Sequence, residues 1–162
     1  MAELVLRRLA PADWAAFREI RLAALRDAPE AFGSTAAEAQ MLGEQEWRRR
    51  LVQRTVFMAE AANQRVGLVA GIGRARPGEA ELVSMWVAPA WRGRGVGDRL
   101  VEAVLAWAAG EGFTSVRLWV ANGNTRAERL YARHGFDATG RSQPMGGERF
   151  AVVEFEMRRE LG

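Results

Sequence analysis

The chain has 162 residues, 49% hydrophobic and 27% charged, a balance that predicts one globular domain over residues 1–162 and argues against disorder or a fibre. Cysteine is absent and His134 is the single histidine, which removes disulfides, thiolate nucleophiles, iron–sulfur clusters and multi-histidine or cysteine metal sites, so no metal is expected. All 23 basic residues are arginine, which leaves neither a P-loop lysine nor a Schiff-base lysine.

The net charge of +3 is a small excess, and the pI near 10.7 reflects how late arginine titrates. Such a surplus suits an anionic cofactor without demanding nucleic acid. No run reaches the roughly 18 apolar residues of a membrane span, and Met1 to Arg8 lacks the basic-then-apolar order of a secretion signal. A soluble, cytoplasmic protein is expected.

Leu4 to Leu9 reads as a short strand. A helix follows from Pro11 through Asp27, with Trp14, Phe17, Ile20, Arg21, Leu22 and Leu25 recurring at helical spacing and Pro29 beyond its end. Ala31 to Thr35 is a loop, and Glu38 to Gln53 is helical with a break near Gly43. The triplet Arg48, Arg49 and Arg50 reads as a solvated helix face. Thr55 to Ala61, Arg65 to Ala75 and Glu79 to Ala88 read as an antiparallel meander with turns at Asn63-Gln64 and Pro77-Gly78. Gly97 to Ala109 carries a helical stripe of Leu100, Val104, Leu105 and Ala108. Ser115 to Val120 is a buried strand, Asn124 to His134 a short helix closed by Gly135, and Asp137 to Gln143 and Arg149 to Met157 are the last strands. This order predicts an α+β protein whose mixed, mostly antiparallel sheet has about seven strands and about four helices. The helix from Gly97 makes a parallel crossover between the strands on either side of it.

The segment Arg92-Gly93-Arg94-Gly95-Val96-Gly97 lies between a strand end and an amphipathic helix. Three glycines let several backbone N–H groups turn toward one point, and the helix adds its unpaired N–H groups and positive dipole end, a place that binds phosphate. By itself the segment reads equally well as a tight turn with its arginines in water. A dinucleotide fingerprint is ruled out by the glycine spacing and by the lack of an acid within Arg117 to Val120.

At these residues the chain resembles the GNAT superfamily of acyl-CoA-dependent N-acyltransferases. Arg92, Gly95 and Gly97 match that family's pyrophosphate loop, and Leu82 to Pro89 resembles the strand leading into it. A second family motif is matched by Asn124, Ala127, Leu130, Tyr131, Gly135 and Phe136. The resemblance implies a GNAT-like fold and an N-acetyltransferase that uses acetyl-CoA and a primary amine in a direct transfer. It implies that the pyrophosphate rests on Arg92, Gly93, Arg94, Gly95, Val96 and Gly97. It also implies that the pantetheine arm pairs with backbone near Met85, Trp86 and Val87 and meets Asn124.

Tyr131, the one tyrosine, holds the family's general-acid position and is also placed to meet the cofactor. Its plainer reading is a core aromatic, and both fit one ring. Glu81 matches a strand position from which similar acetyltransferases supply a base. Strand alternation puts it on one face with Val83, Met85 and Val87, and its plainer reading is an exposed strand-start glutamate. Some relatives carry a glutamate where this chain has Trp119. Trp119, with Phe32 and Gly33 of the first inter-helix loop, is a candidate for the acceptor pocket. His134, at a helix end, suits a dipole or surface role.

The partners expected are acetyl-CoA and an amine acceptor, with neither nucleic acid nor membrane. The family likeness adds a homodimer built on the last strand as an edge or swapped element. Two rival readings remain: a module that binds acyl-CoA without turnover, and an arginine-rich nucleic-acid binder, which ranks last because no strand interleaves aromatic and basic residues.

Overall fold

A computed structural model describes residues 3–32, 34–146 and 152–162. The strands are β1 (Val5–Arg8), β2 (Thr55–Ala61), β3 (Gln64–Arg76), β4 (Glu79–Val87), β5 (Ser115–Ala121), β6 (Asp137–Pro144) and β7 (Val153–Glu160). The helices are α1 (Trp14–Asp27), α2 (Ala36–Gln40), α3 (Glu44–Gln53), α4 (Val96–Gly110) and α5 (Thr125–Arg133), with 3-10 turns at Pro11–Asp13, Pro29–Ala31 and Pro89–Trp91. One sheet holds the strands in the order β1-β2-β3-β4-β5-β7-β6. β4 and β5 run parallel, joined by α4, and the other neighbours are antiparallel. The expected mixed sheet is present, with five helices because Glu38 to Gln53 divides at Gly43 into α2 and α3.

Local chemistry sets several of these limits. The Thr35 hydroxyl accepts a hydrogen bond from the Glu38 N–H at 3.1 Å and starts α2. Ala62 and Asn63 take φ of 51° and 60°, the two left-handed residues that a tight hairpin between β2 and β3 requires.

The final strand departs from expectation. It runs from Val153 to Glu160, later than Arg149 to Met157, and positions 147–151 lie outside the described residues. It is also no edge: β7 lies between β5 and β6 and pairs on both sides, so the outer position falls to β6. The chain returns from β6 as a hairpin and inserts its last strand against β5.

Two apolar layers flank the sheet. On one face α1 and α3 supply Phe17, Ile20, Leu25 and Trp47, with the Trp47 ring edge-on to Phe17 at 5.3 Å between centroids. On the other face α4 supplies Leu100, Val101, Val104 and Ala108. Here α4 rests on bare backbone: a Cβ at Gly67 would meet Leu100 and Val96 at 2.9 Å, and one at Gly71 would meet the Trp107 ring at 2.5 Å. That close approach fixes where α4 begins relative to the end of β4.

β4 contains a bulge. Its register with β3 shifts between the Ala70–Val83 and Leu68–Trp86 rungs, and Ser84 there has φ of 61°, in the left-handed region. The extra residue reverses which side chains face which layer. Val83 packs with the α1 and α3 layer, whereas Met85 and Val87 pack with the α4 layer and Trp86 crosses to the first. The expectation that Val83, Met85 and Val87 share a face is therefore corrected. Strand alternation holds only up to the bulge. No helix among the described residues is long and apolar enough to cross a membrane.

Candidate active site

The chain leaves β4 through the Pro89–Trp91 turn and enters a loop in which Gly93 and Gly95 have φ of 75° and 84°. Nothing lies within 4 Å of a Cβ built on either glycine, so backbone conformation rather than space calls for glycine here. Gly95 caps α4 without any side-chain hydrogen bond. By contrast, α5 is capped by Asn124, whose Oδ1 accepts from the Ala127 N–H at 3.3 Å. The first N–H groups of α4 thus have no partner within the helix and no side-chain cap, at the positive end of a 15-residue dipole. This arrangement fits a pyrophosphate.

Asp98 stands in that first turn, but its charge is taken up locally. Arg133 Nη2 donates to it at 3.0 and 3.2 Å, and His134 Nε2 lies 2.8 Å away. Burial works to raise the Asp98 pKa, yet its bonds with His134 and Arg133 outweigh this and hold it below the usual carboxylate value. His134 therefore has a specific carboxylate partner beyond the dipole or surface role expected for it.

Beside the loop the sheet opens. β4 and β5 pair only through Glu79–Ser115, Ala80–Val116 and Glu81–Arg117, and past these rungs the strands part. A cleft of about 1070 Å³ occupies the gap, walled by Met85, Trp86 and Val87 on one side and Ala121, Asn122 and Asn124 on the other. The Arg92 Nε donates to Val87 O at 3.0 Å, and its Nη2 donates to Asp27 at 2.6 Å. The Trp86 indole N–H donates to the same Asp27 oxygen at 3.0 Å. One carboxylate at the end of α1 therefore ties the cleft wall to the first residue of the loop.

Glu81 sits at the closed end of the opening. Its carboxylate meets Arg117 Nη2 at 3.4 Å, on the last shared rung of the two strands. Arg117 also faces Glu156 at 3.4 Å and Glu79 at 3.8 Å, and the buried Glu79 takes Arg158 Nε at 2.8 Å and the Ser115 hydroxyl at 3.2 Å. This ionic cluster links β4, β5 and β7, with Glu79 and Glu156 buried. Tyr131 is 5% exposed, with its ring 5.9 Å from Phe136, and burial pushes its phenol pKa well up. At neutral pH it keeps its proton, which suits an acid and not a base.

Of the residues expected from sequence, Phe32, Met85, Trp86, Val87, Arg92, Gly93, Gly95, Gly97 and Asn124 line the one cleft. The others fall elsewhere. Arg94 lies over the Trp91 ring at 5.1 Å, Val96 is buried against β3, and Trp119 lies 5.9 Å from the Arg117 guanidinium. Glu81 and Tyr131 are set back from the lining, and Gly33 is outside the described residues. Asn124 spends its oxygen on the α5 cap, which leaves its amide nitrogen for a ligand. Asp27, Arg126 and Arg133 line the cleft without having been expected. Asp27 carried one signal: an acid in the last turn of a helix opposes the dipole, so a specific partner elsewhere is implied.

Known proteins agree with this geometry. The family model described as the acetyltransferase (GNAT) family matches residues 14–136. N-acetyltransferase 8F1 of Rattus norvegicus is 34% identical over 88 residues, which is 52% of this chain and 40% of that protein. An uncharacterized N-acetyltransferase of Mycobacterium tuberculosis is 39% identical over 62 residues, or 38% of this chain and 40% of its own. The matches thus span about two-fifths of the length of these curated relatives. Among solved structures, a GNAT-family acetyltransferase from Streptococcus pneumoniae superposes with a TM-score of 0.81 at 24% identity, covering 99% of this chain and 100% of that one. The protein yncA from Salmonella typhimurium, solved with its cofactor acetyl-CoA, gives 0.78 at 21%, covering 99% and 95%. A GCN5-related N-acetyltransferase from Kribbella flavida gives 0.70 at 28%, covering 98% of each chain.

Proposed function

The chain belongs to the GNAT acetyltransferase family, and on that premise we propose that it moves an acetyl group from acetyl-CoA to a primary amine of a small molecule, peptide or protein by direct attack in a ternary complex. The observation that carries this reading is the uncapped start of α4, behind two left-handed glycines, at the mouth of the β4–β5 opening. Both known ends of the cofactor find a counterpart: orphan N–H groups for pyrophosphate and parted strand edges for an arm with amide groups.

Bound there, acetyl-CoA supplies an acetyl group activated as a thioester. The loop N–H groups from Gly93 to Gly97 hold the pyrophosphate, while Met85, Trp86 and Val87 border the arm and their backbone N–H groups polarise the thioester carbonyl. An acceptor amine with a pKa near about 10 is mostly protonated at neutral pH and must lose a proton before it attacks. Glu81 receives that proton through water, since it stands at the closed end of the opening and not on the lining. Tyr131 gives its phenolic proton to the departing sulfur as the carbon–sulfur bond breaks. Its resting form supports this role, because burial keeps the proton in place. Phe32, which lines the cleft, borders the acceptor.

Calorimetric titration with acetyl-CoA, joined to thiol release in the presence of amines, tests the reading. Micromolar binding that weakens on Gly95→Val and amine-dependent thiol release are expected. Absence of binding by the unaltered protein overturns the proposal. If copies of the chain pair, β6 is the edge at which they meet, being exposed along its length; a single-chain mass at all concentrations in light scattering removes that arrangement.

A further inference from the structure

Arg21 is at odds with its surroundings. It lies on α1 between the buried Ile20 and Leu22 and is itself 8% exposed. Its Nη1 is buried without a hydrogen-bond partner, and its guanidinium forms no ion pair among the described residues. Desolvation, reinforced by the nearby charges of Arg54 and Arg50, pulls its pKa down to about 10. A buried charge without a counterion is costly, and an apolar side chain of similar length would be more stable at this position.

Several carboxylates of the fold are committed to other partners. Asp27 serves Trp86 and Arg92, Glu46 serves Arg49 and Arg50, and Glu79 and Glu156 serve Arg117 and Arg158. The favourable contact Arg21 does make is with Phe32, whose ring centroid lies 4.7 Å from the guanidinium carbon. Phe32 is a wall of the cleft. The unpaired charge therefore stands one aromatic ring away from the space the acceptor enters.

We propose that the acceptor supplies the missing counterion: the substrate of this site is an amine that also carries a carboxylate, held by Arg21 beside Phe32 while its amine reaches the β4–β5 opening. This deepens the acetyltransferase reading and rests on it. A guanidinium matches a carboxylate with two parallel hydrogen bonds, and the neighbouring arginines raise the positive potential that draws it in. An acceptor without the carboxylate leaves the guanidinium unpaired and is discriminated against on that account.

The test uses the whole protein, unaltered and as Arg21→Met and Arg21→Lys, with matched pairs of compounds: phenylalanine against phenethylamine and lysine against cadaverine. Thermal melting reads binding whether or not an acetyl group moves, and thiol release with acetyl-CoA reads transfer. Amino acids are expected to raise the melting midpoint of the unaltered protein while their decarboxylated partners do not. Arg21→Met melts higher than the unaltered protein without ligand and loses the amino-acid shift, and Arg21→Lys keeps part of it. In transfer, the carboxylate-bearing member leads by at least about tenfold in kcat/KM, and Arg21→Met erases that lead through KM. Equal response to both members of each pair, or an amino-acid shift that survives Arg21→Met, overturns the proposal. A carboxylate-dependent shift without any thiol release leaves the Arg21 assignment standing and counts against the acetyltransferase reading alone.

Discussion

The two ends of the β4–β5 pair are built from different materials. At the closed end the strands share hydrogen bonds, and their side chains Glu79, Glu81 and Arg117 form an ionic layer with Glu156 of β7. At the open end the strands part, and what they offer is backbone: strand edges, glycines, and the first turn of an uncapped helix. A backbone site binds what every member of a family binds, because it depends on conformation and little on side-chain identity. A side-chain site is free to differ, and it is there that the proposed reading puts the proton chemistry.

If that division holds, damage at one end leaves the other working. The largest effect is expected from Glu81→Gln, which keeps the shape and removes the proposed base: kcat/KM falls by about 10² to 10⁴. Calorimetry should find acetyl-CoA affinity unchanged, and a matching loss of affinity would break the comparison. Gly95→Val acts at the other end. An L-residue at φ of 84° carries about 1 to 2 kcal/mol of strain, so acetyl-CoA affinity falls by about five- to thirtyfold, whereas kcat at saturating cofactor changes little.

Tyr131 sharpens the picture through pH. Its folded pKa is raised above the ordinary value of 10.0, so the unfolded chain ionises first. The stability this adds is complete below that value and is lost as pH rises past it, at up to about 1.4 kcal/mol per pH unit. Urea unfolding across this range should show the slope in the unaltered protein and not in Tyr131→Phe. Because the chain has one tyrosine, phenolate absorbance follows the group directly. The smallest effect is expected from Asn124→Ala, which removes the α5 cap and costs about 1 kcal/mol in the same unfolding measurement.

The same division explains what could be read in the sequence. Glycines mark left-handed backbone, and so the loop from Arg92 to Gly97 was visible, as was the crossover through α4, whose apolar stripe is regular. Strand β2 matches its expected limits, and the break at Gly43 is where α2 and α3 separate. Side-chain placement across the fold leaves no such mark. Arg21 fits the spacing of the apolar residues on α1, and nothing local reveals that it faces the core without a partner. Asp27 finds Trp86 and Arg92 only after the chain has traversed three strands. β7 continues to Glu160, past the Met157 limit that alternation suggests. The bulge at Ser84 has no residue signature, since serine neither requires nor favours a positive φ.

That bulge makes β4 a strand written in two frames. Before Ser84 an odd-numbered position such as Val83 lies with α1 and α3; after it, the odd-numbered Met85 and Val87 lie with α4. Substitutions chosen to reshape the acceptor side should therefore alternate in opposite phase on the two sides of one serine. Deleting that serine would leave Val83 and Trp86 with α1 and α3 and Met85 and Val87 with α4 in one unbroken alternation, so what it removes is the left-handed kink and not the facing of the cleft wall.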